Sequence, residues 1–212
     1  MENTQTISTT QAPAKKLDVL KMTELAMLTA IVILMAFTPL GYLKVGAISI
    51  TFIVVPVAVG AVLLGVKAGA FLGFVFGLTS FAQCFGMSAF GTMLLGINPV
   101  GTAYCCIFPR VMVGIVPALV FAGLQKVCKK RPLNIAIACL LTPVTNTVLY
   151  LGFMTLFFQD ELADAYQYTG KGGLSFLIWL FLLVAVNAIL EAAASLIIGS
   201  AICNALWKST RR

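Results

Sequence analysis

The chain has 212 residues, 60% of them hydrophobic and only 10% charged, with a mean hydropathy of +1.03. Soluble domains carry about 25% charged residues, so this composition excludes an ordinary soluble fold and points to an integral membrane protein. The net charge of +7 raises the question of nucleic acid, but the positions of the charges answer it differently, as set out below.

The first twenty residues, MENTQTISTTQAPAKKLDVL, are polar and rich in Thr and Gln, and read as a flexible cytoplasmic tail. Residues 21–208 then form a membrane domain. The next apolar run ends in FTPLGYLKVG without a small-x-small cleavage site, so it reads as a retained helix rather than a signal peptide. Six apolar spans follow in order, at 22–40, 48–64, 68–85, 103–125, 133–158 and 174–206. At ~20 apolar residues per crossing, they predict an all-α bundle of six transmembrane helices. The second span is short and carries Pro56; the last is long enough to tilt.

With the N-terminus in the cytoplasm, Lys15, Lys16, Lys21, Lys67, Lys126, Lys129, Lys130, Arg131, Lys208, Arg211 and Arg212 fall inside. Lys44 and Lys171 fall outside, and Arg110 lies within a span. The positive-inside rule therefore predicts both termini inside. A five-helix count would place the termini on opposite sides and spoil this asymmetry. The distribution also accounts for the basic character without nucleic acid. Trp207, Tyr42 and Tyr104 suit interfacial anchors.

Within the first span, Ala26 and Ala30 lie one turn apart on one face. In the third, Gly65, Gly69, Gly73 and Gly77 recur every four residues. Such small residues let helices approach closely, either within the bundle or against a partner. Between the third and fourth spans, GMSAFGTMLLGINPVGT (residues 86–102) is uncharged. It is either a lid over a pocket, to which Asn98 contributes, or an interfacial loop. Residues 159–173 are acidic and polar and read as solvated.

Polar groups inside apolar spans mark the bundle interior. They are Thr79 and Gln83 in the third span, Arg110 in the fourth, Asn146 in the fifth, and Asn187 with Glu191 in the sixth. Arg110 and Glu191 form a structural ion pair, or Arg110 points into an outward cavity and binds a substrate carboxylate bidentately. The two roles are compatible if Glu191 orients Arg110 from behind. Asn146 follows Pro143, where the helix bends, and either reads ligand hydroxyls and amides or bonds another helix. Tyr150, Phe85 and Phe108 are candidate pocket walls. Six cysteines show no C-x-x-C pair and read mainly as small buried hydrophobes. The chain has no histidine, no phosphate-binding loop and no metalloprotease or nucleophile-elbow signature. No enzyme activity, metal or cofactor is expected.

Several stretches together carry a resemblance. They are AMLTA and FTPLG in the first span, VPVAVGAVLLGVKAGAFLGFVFGLTS across the second and third, and FPRVMVG in the fourth. TNTVLYLG in the fifth and NAILE in the sixth complete the set. In order and spacing the chain resembles the substrate-binding S-components of energy-coupling factor (ECF) vitamin transporters. The helix-three block and the FPR stretch look most like pantothenate-type members. The lid text does not match a particular ligand, which leaves folate, riboflavin or another precursor open. The resemblance implies a bacterial plasma-membrane protein that captures a vitamin or precursor outside the cell. It implies partners too: a transmembrane coupling subunit, contacted through Ala26 and Ala30, and two ATPase subunits. On this reading the substrate-binding residues are Arg110, Asn146, Asn187, Glu191, Thr79, Gln83, Asn98 and Tyr150. The alternative is a stand-alone secondary transporter in which Glu191 carries a proton. The absence of a visible internal repeat argues mildly against it.

Overall fold

In the computed structural model the described residues are 16–38, 41–45, 48–158, 160 and 188–210. They are nearly all helical. In chain order they form α1 (Lys16–Ala36), strands β1 (Tyr42–Val45) and β2 (Ile48–Thr51), α2 (Val54–Leu64), α3 (Val66–Gln83), α4 (Ala89–Ile97), α5 (Pro99–Val127) and α6 (Arg131–Phe157). A last helix, α7, occupies 188–210 and contains one π turn at Ser195–Gly199. Five of these helices are long and apolar enough to cross a membrane. The first begins at Lys16, inside the stretch expected to be a tail. Asn187, the 159–173 loop apart from Asp160, and the first part of the sixth expected span lie outside the described residues.

The second expected span departs from a plain helix. Its first residues pair with Tyr42–Val45 as an antiparallel hairpin, Tyr42 opposite Thr51 and Val45 opposite Ile48. Only Val54–Leu64 is helical. The β-branched text ISIT favours a strand, so here the apolar run belongs to two elements. At 1.5 Å per residue α2 is roughly 16 Å long, about half the thickness of a hydrocarbon core.

Residues Val54–Val62 of α2 are buried on every face, the mark of a helix enclosed by others. Around it pack α1, α3, α5, α6 and α7. One core cluster joins Val32 and Ala36 of α1, Ile53, Val54 and Val57, Leu72 and Phe76 of α3, and Val113 of α5. A second joins Ala58, Val59 and Val62 with Phe121, Ile135, Ala138, Cys139 and Cys203. Between α2 and α3 stands Gly65 alone, at φ +88°, a left-handed conformation that suits glycine and ends one helix while starting the next.

The glycine repeat of α3 serves internal packing. A Cβ on Gly69 would strike the Gly114 carbonyl, one on Gly73 the Arg110 carbonyl, and one on Gly77 the backbone at Ile107. Without side chains at these points α3 and α5 touch backbone to backbone over three turns. On α1, by contrast, Met22, Met27, Ile31, Ile33 and Leu34 are exposed, as are Ala26 and Ala30. Large apolar side chains open to the surroundings suit lipid or another membrane subunit.

α7 keeps one stripe inward across its described length: Glu191, Ser195, Gly199 and Cys203 are buried and Trp207 half-buried. At about 100° per residue, a strict four-residue spacing drifts about 40° per step, or about 160° over four steps. The π turn at Ser195–Gly199 absorbs part of that drift, because its wider turn takes more residues.

Candidate functional site

Arg110 lies eleven residues into α5, roughly 16 Å from the start of that helix, and its backbone is clamped against Gly73. Its Nη1 donates to the Cys105 carbonyl of its own helix. Its guanidinium carbon sits 4.8 Å from the Tyr150 ring centre and 5.7 Å from that of Phe76. Both rings lie within cation–π range. The Nε is buried and has no hydrogen-bond partner among the described residues. A buried charged donor left unpaired is costly, and this one is free to meet an acceptor.

Asn146 stands one turn before Tyr150 on α6, and residues four apart share a helix face. Its Oδ1 is likewise buried without a partner among the described residues. Arg110 thus meets Tyr150 across α5 and α6, and Asn146 adds an amide one turn from that ring on α6.

Of the other expected ligands, Thr79, Gln83 and Asn98 each bond a backbone group. Thr79 is buried, and its hydroxyl donates to the Phe76 carbonyl, 2.9 Å, within α3. Gln83 Nε2 donates to the Ala36 carbonyl, which ties the end of α3 to the end of α1. Asn98 caps α5, its side chain accepting from the Gly101 amide at 2.9 Å. The Asn-Pro pair opening a helix is a legible cap signal, with Pro99 at the first helical position. Asn187 lies outside the described residues.

Glu191 is 3% exposed, and its Oε1 accepts the backbone N–H of Thr51 at 3.1 Å. The arginine faces two rings and a carbonyl, whereas the Glu191 carboxylate reaches the hairpin. One turn on, Ser195 Oγ donates to the Cys139 carbonyl of α6 at 2.7 Å.

Phe85 and Phe108, read from the sequence as walls, turn outward. Phe85 is 66% exposed and packs edge-on against Phe81, while Phe108 meets Phe153 with ring centres 5.0 Å apart. The wall that the sequence reading missed is Phe76. The available signal was its place three residues after Gly73, on the face of α3 that approaches α5. Cys84 and Cys106 bring their sulfurs to 3.8 Å, joining α3 to α5 near the same level.

Part of the 86–102 stretch is helical. α4 is capped by Ser88, which accepts from the Gly91 amide at 3.2 Å, and is held down by Leu94 in a cluster with Cys105, Met154 and Phe158. Phe90, Met93 and Ile97 remain exposed, the pattern of an amphipathic helix at an interface.

Residues 20–203 match the family described as the ECF transporter, substrate-specific component. The chain belongs to this family. It is 34% identical over 168 residues to the pantothenic acid transporter PanT of Lactococcus lactis subsp. cremoris, a match covering 75% of this chain and 78% of that protein. It is 30% identical over 184 residues to the pantothenate transporter PanT of Leuconostoc mesenteroides subsp. mesenteroides, covering 84% of this chain and 87% of the relative. The family and these relatives are transporters rather than enzymes. With five helices apolar enough to span, this S-component is a multi-pass plasma-membrane protein of vitamin uptake.

Proposed function

We propose that this S-component binds pantothenate and delivers it to the cytoplasm as part of an ECF importer. The observation that carries the proposal is Arg110 against Tyr150, with Asn146 one turn away, a buried donor and a buried acceptor each lacking a partner among the described residues. Pantothenate offers a carboxylate for the guanidinium, hydroxyls and an amide N–H for the Asn146 carbonyl oxygen, and an aliphatic middle for the Tyr150 and Phe76 rings. Charge-assisted pairing of guanidinium and carboxylate is the strongest single contact available there. The names of the two relatives support the same ligand. Thr79, Gln83 and Asn98 serve the helices and their ends, and Glu191 supports the site from outside the ligand shell.

In the proposed orientation both termini are cytoplasmic, and the hairpin, α4 and the Ala36 and Gln83 helix ends face outward. α2, too short to cross alone, completes a six-helix bundle. Ala26 and Ala30, both exposed, are the contact with a transmembrane coupling subunit that two ATPases drive. Equilibrium binding of radiolabelled pantothenate to the purified chain tests the ligand, with folate and riboflavin as competitors. Saturable binding that only pantothenate displaces is expected. Binding of another vitamin in its place would overturn the assignment.

A further inference from the structure

We infer that Glu191 is a positioning residue: it docks the β1–β2 hairpin on α7 and so steadies Ile53 and, through it, the Phe76 ring beside Arg110. The hydrogen-bond pattern of the hairpin identifies what Glu191 supplies. The Phe52 amide donates to the Gly41 carbonyl at 3.0 Å, and Tyr42 stands opposite Thr51. In an antiparallel pair, a bond between the flanking residues makes 42 and 51 a non-hydrogen-bonded pair, whose own N–H and C=O groups point away from the partner strand. The Thr51 N–H is therefore an edge donor. An edge donor at a half-buried position is favoured by a protein acceptor, and here it is Glu191 Oε1 at 3.1 Å.

The carboxylate is itself held in place. Ser195, one turn along α7, donates to the Cys139 carbonyl on α6 at 2.7 Å, fixing α7 axially against α6. The dock also connects to the ligand face. Ile53, two residues beyond Thr51, is fully buried in the cluster that contains Phe76, and the Phe76 ring lies 5.7 Å from the Arg110 guanidinium carbon. Release of the hairpin would loosen Ile53 and with it one ring over the arginine. This role rests on the proposed ligand site only in its effect on ligand escape; the docking itself stands on the geometry.

The test uses the purified full chain in nanodiscs. Amide hydrogen exchange of the ligand-free protein reports the docking, and the dissociation rate of radiolabelled pantothenate reports the consequence. Glu191→Gln retains an acceptor oxygen and is expected to match wild type in both. Glu191→Ala is expected to speed exchange at 48–53 and ligand dissociation by roughly tenfold, the range of one lost charged hydrogen bond, with exchange in α5 unchanged. Thr51→Pro deletes the donor at an edge position that tolerates proline. It should reproduce the alanine phenotype if Glu191→Ala fails to fold, and add little to it if both variants fold. Equal damage from Glu191→Gln and Glu191→Ala would overturn the inference and favour a role for the charge itself. Unchanged hairpin exchange in Glu191→Ala would overturn it as well. Absence of pantothenate binding to wild type would instead remove the ligand assignment and leave the exchange result to decide the docking.

Discussion

At the scale of single residues, the chemistry rests on how few polar atoms the interior admits. Arg110 is held between Phe76 and Tyr150 with one nitrogen paired to a backbone carbonyl and another unpaired among the described residues. The rings stabilise the cation without neutralising it, so it remains available to an anion. Arg110→Ala is expected to weaken pantothenate binding by about 10–150-fold, the equivalent of about 1.5–3 kcal/mol for a charged hydrogen bond. Titration of the purified variant measures it. Arg110→Lys should recover only part of the loss, because an ammonium cannot make the bidentate pair. Asn146→Ala should cost less, about five- to tenfold, as expected for a neutral hydrogen bond. It should discriminate least against pantothenate analogues that lack the donor. An Asn146 variant that still discriminates between pantothenate and such analogues as strongly as wild type does would place the amide outside the ligand contact.

At the scale of elements, the site depends on one helix pair. α3 and α5 approach so closely that Gly69 and Gly114 face each other with no space for a methyl group, and Gly73 abuts the Arg110 carbonyl. Gly114→Ala must separate the pair, since the atom in the way is backbone and cannot rotate aside. Overpacking of this kind destabilises by about 1–3 kcal/mol. The expected result is a lower melting temperature in detergent together with weaker binding, because Arg110 lies one turn away on the displaced helix. Gly123→Ala, on the same helix with nothing within 4 Å of the added Cβ, is the control and should leave both unchanged. The π turn of α7 does related work by keeping Glu191 and Cys203 on the inward stripe together.

At the scale of the whole molecule, binding and delivery are expected to separate. The proposed ligand face lies between α5 and α6, whereas Ala26 and Ala30 are exposed on α1, which packs on α2 and α3. Ala26→Leu should therefore impair assembly with the coupling subunit while leaving the pantothenate dissociation constant within about twofold of wild type, since distant sites act independently. Co-purification with the ECF subunits, beside a binding titration on the same preparation, checks both halves. Full assembly and uptake by the variant would remove Ala26 from the interface.

The sequence by itself determined the membrane class, the family and the short list of interior polar groups. Apolar length and buried polarity are local properties that lipid enforces on any fold. It also marked the glycine repeat as a packing surface, and the backbone contacts of α3 bear this reading out. Tertiary structure alone decided which polar groups meet. Arg110 and Glu191 fit one ion pair on paper because depth along a helix is readable from spacing, but the direction each faces depends on neighbours distant in sequence. The division of the second span into hairpin and half-helix escaped periodicity for a related reason: a short apolar β-branched run suits a strand or a buried helix equally. What selects the strand here is the antiparallel partner at Tyr42–Val45, with an acceptor for its edge supplied from 140 residues away.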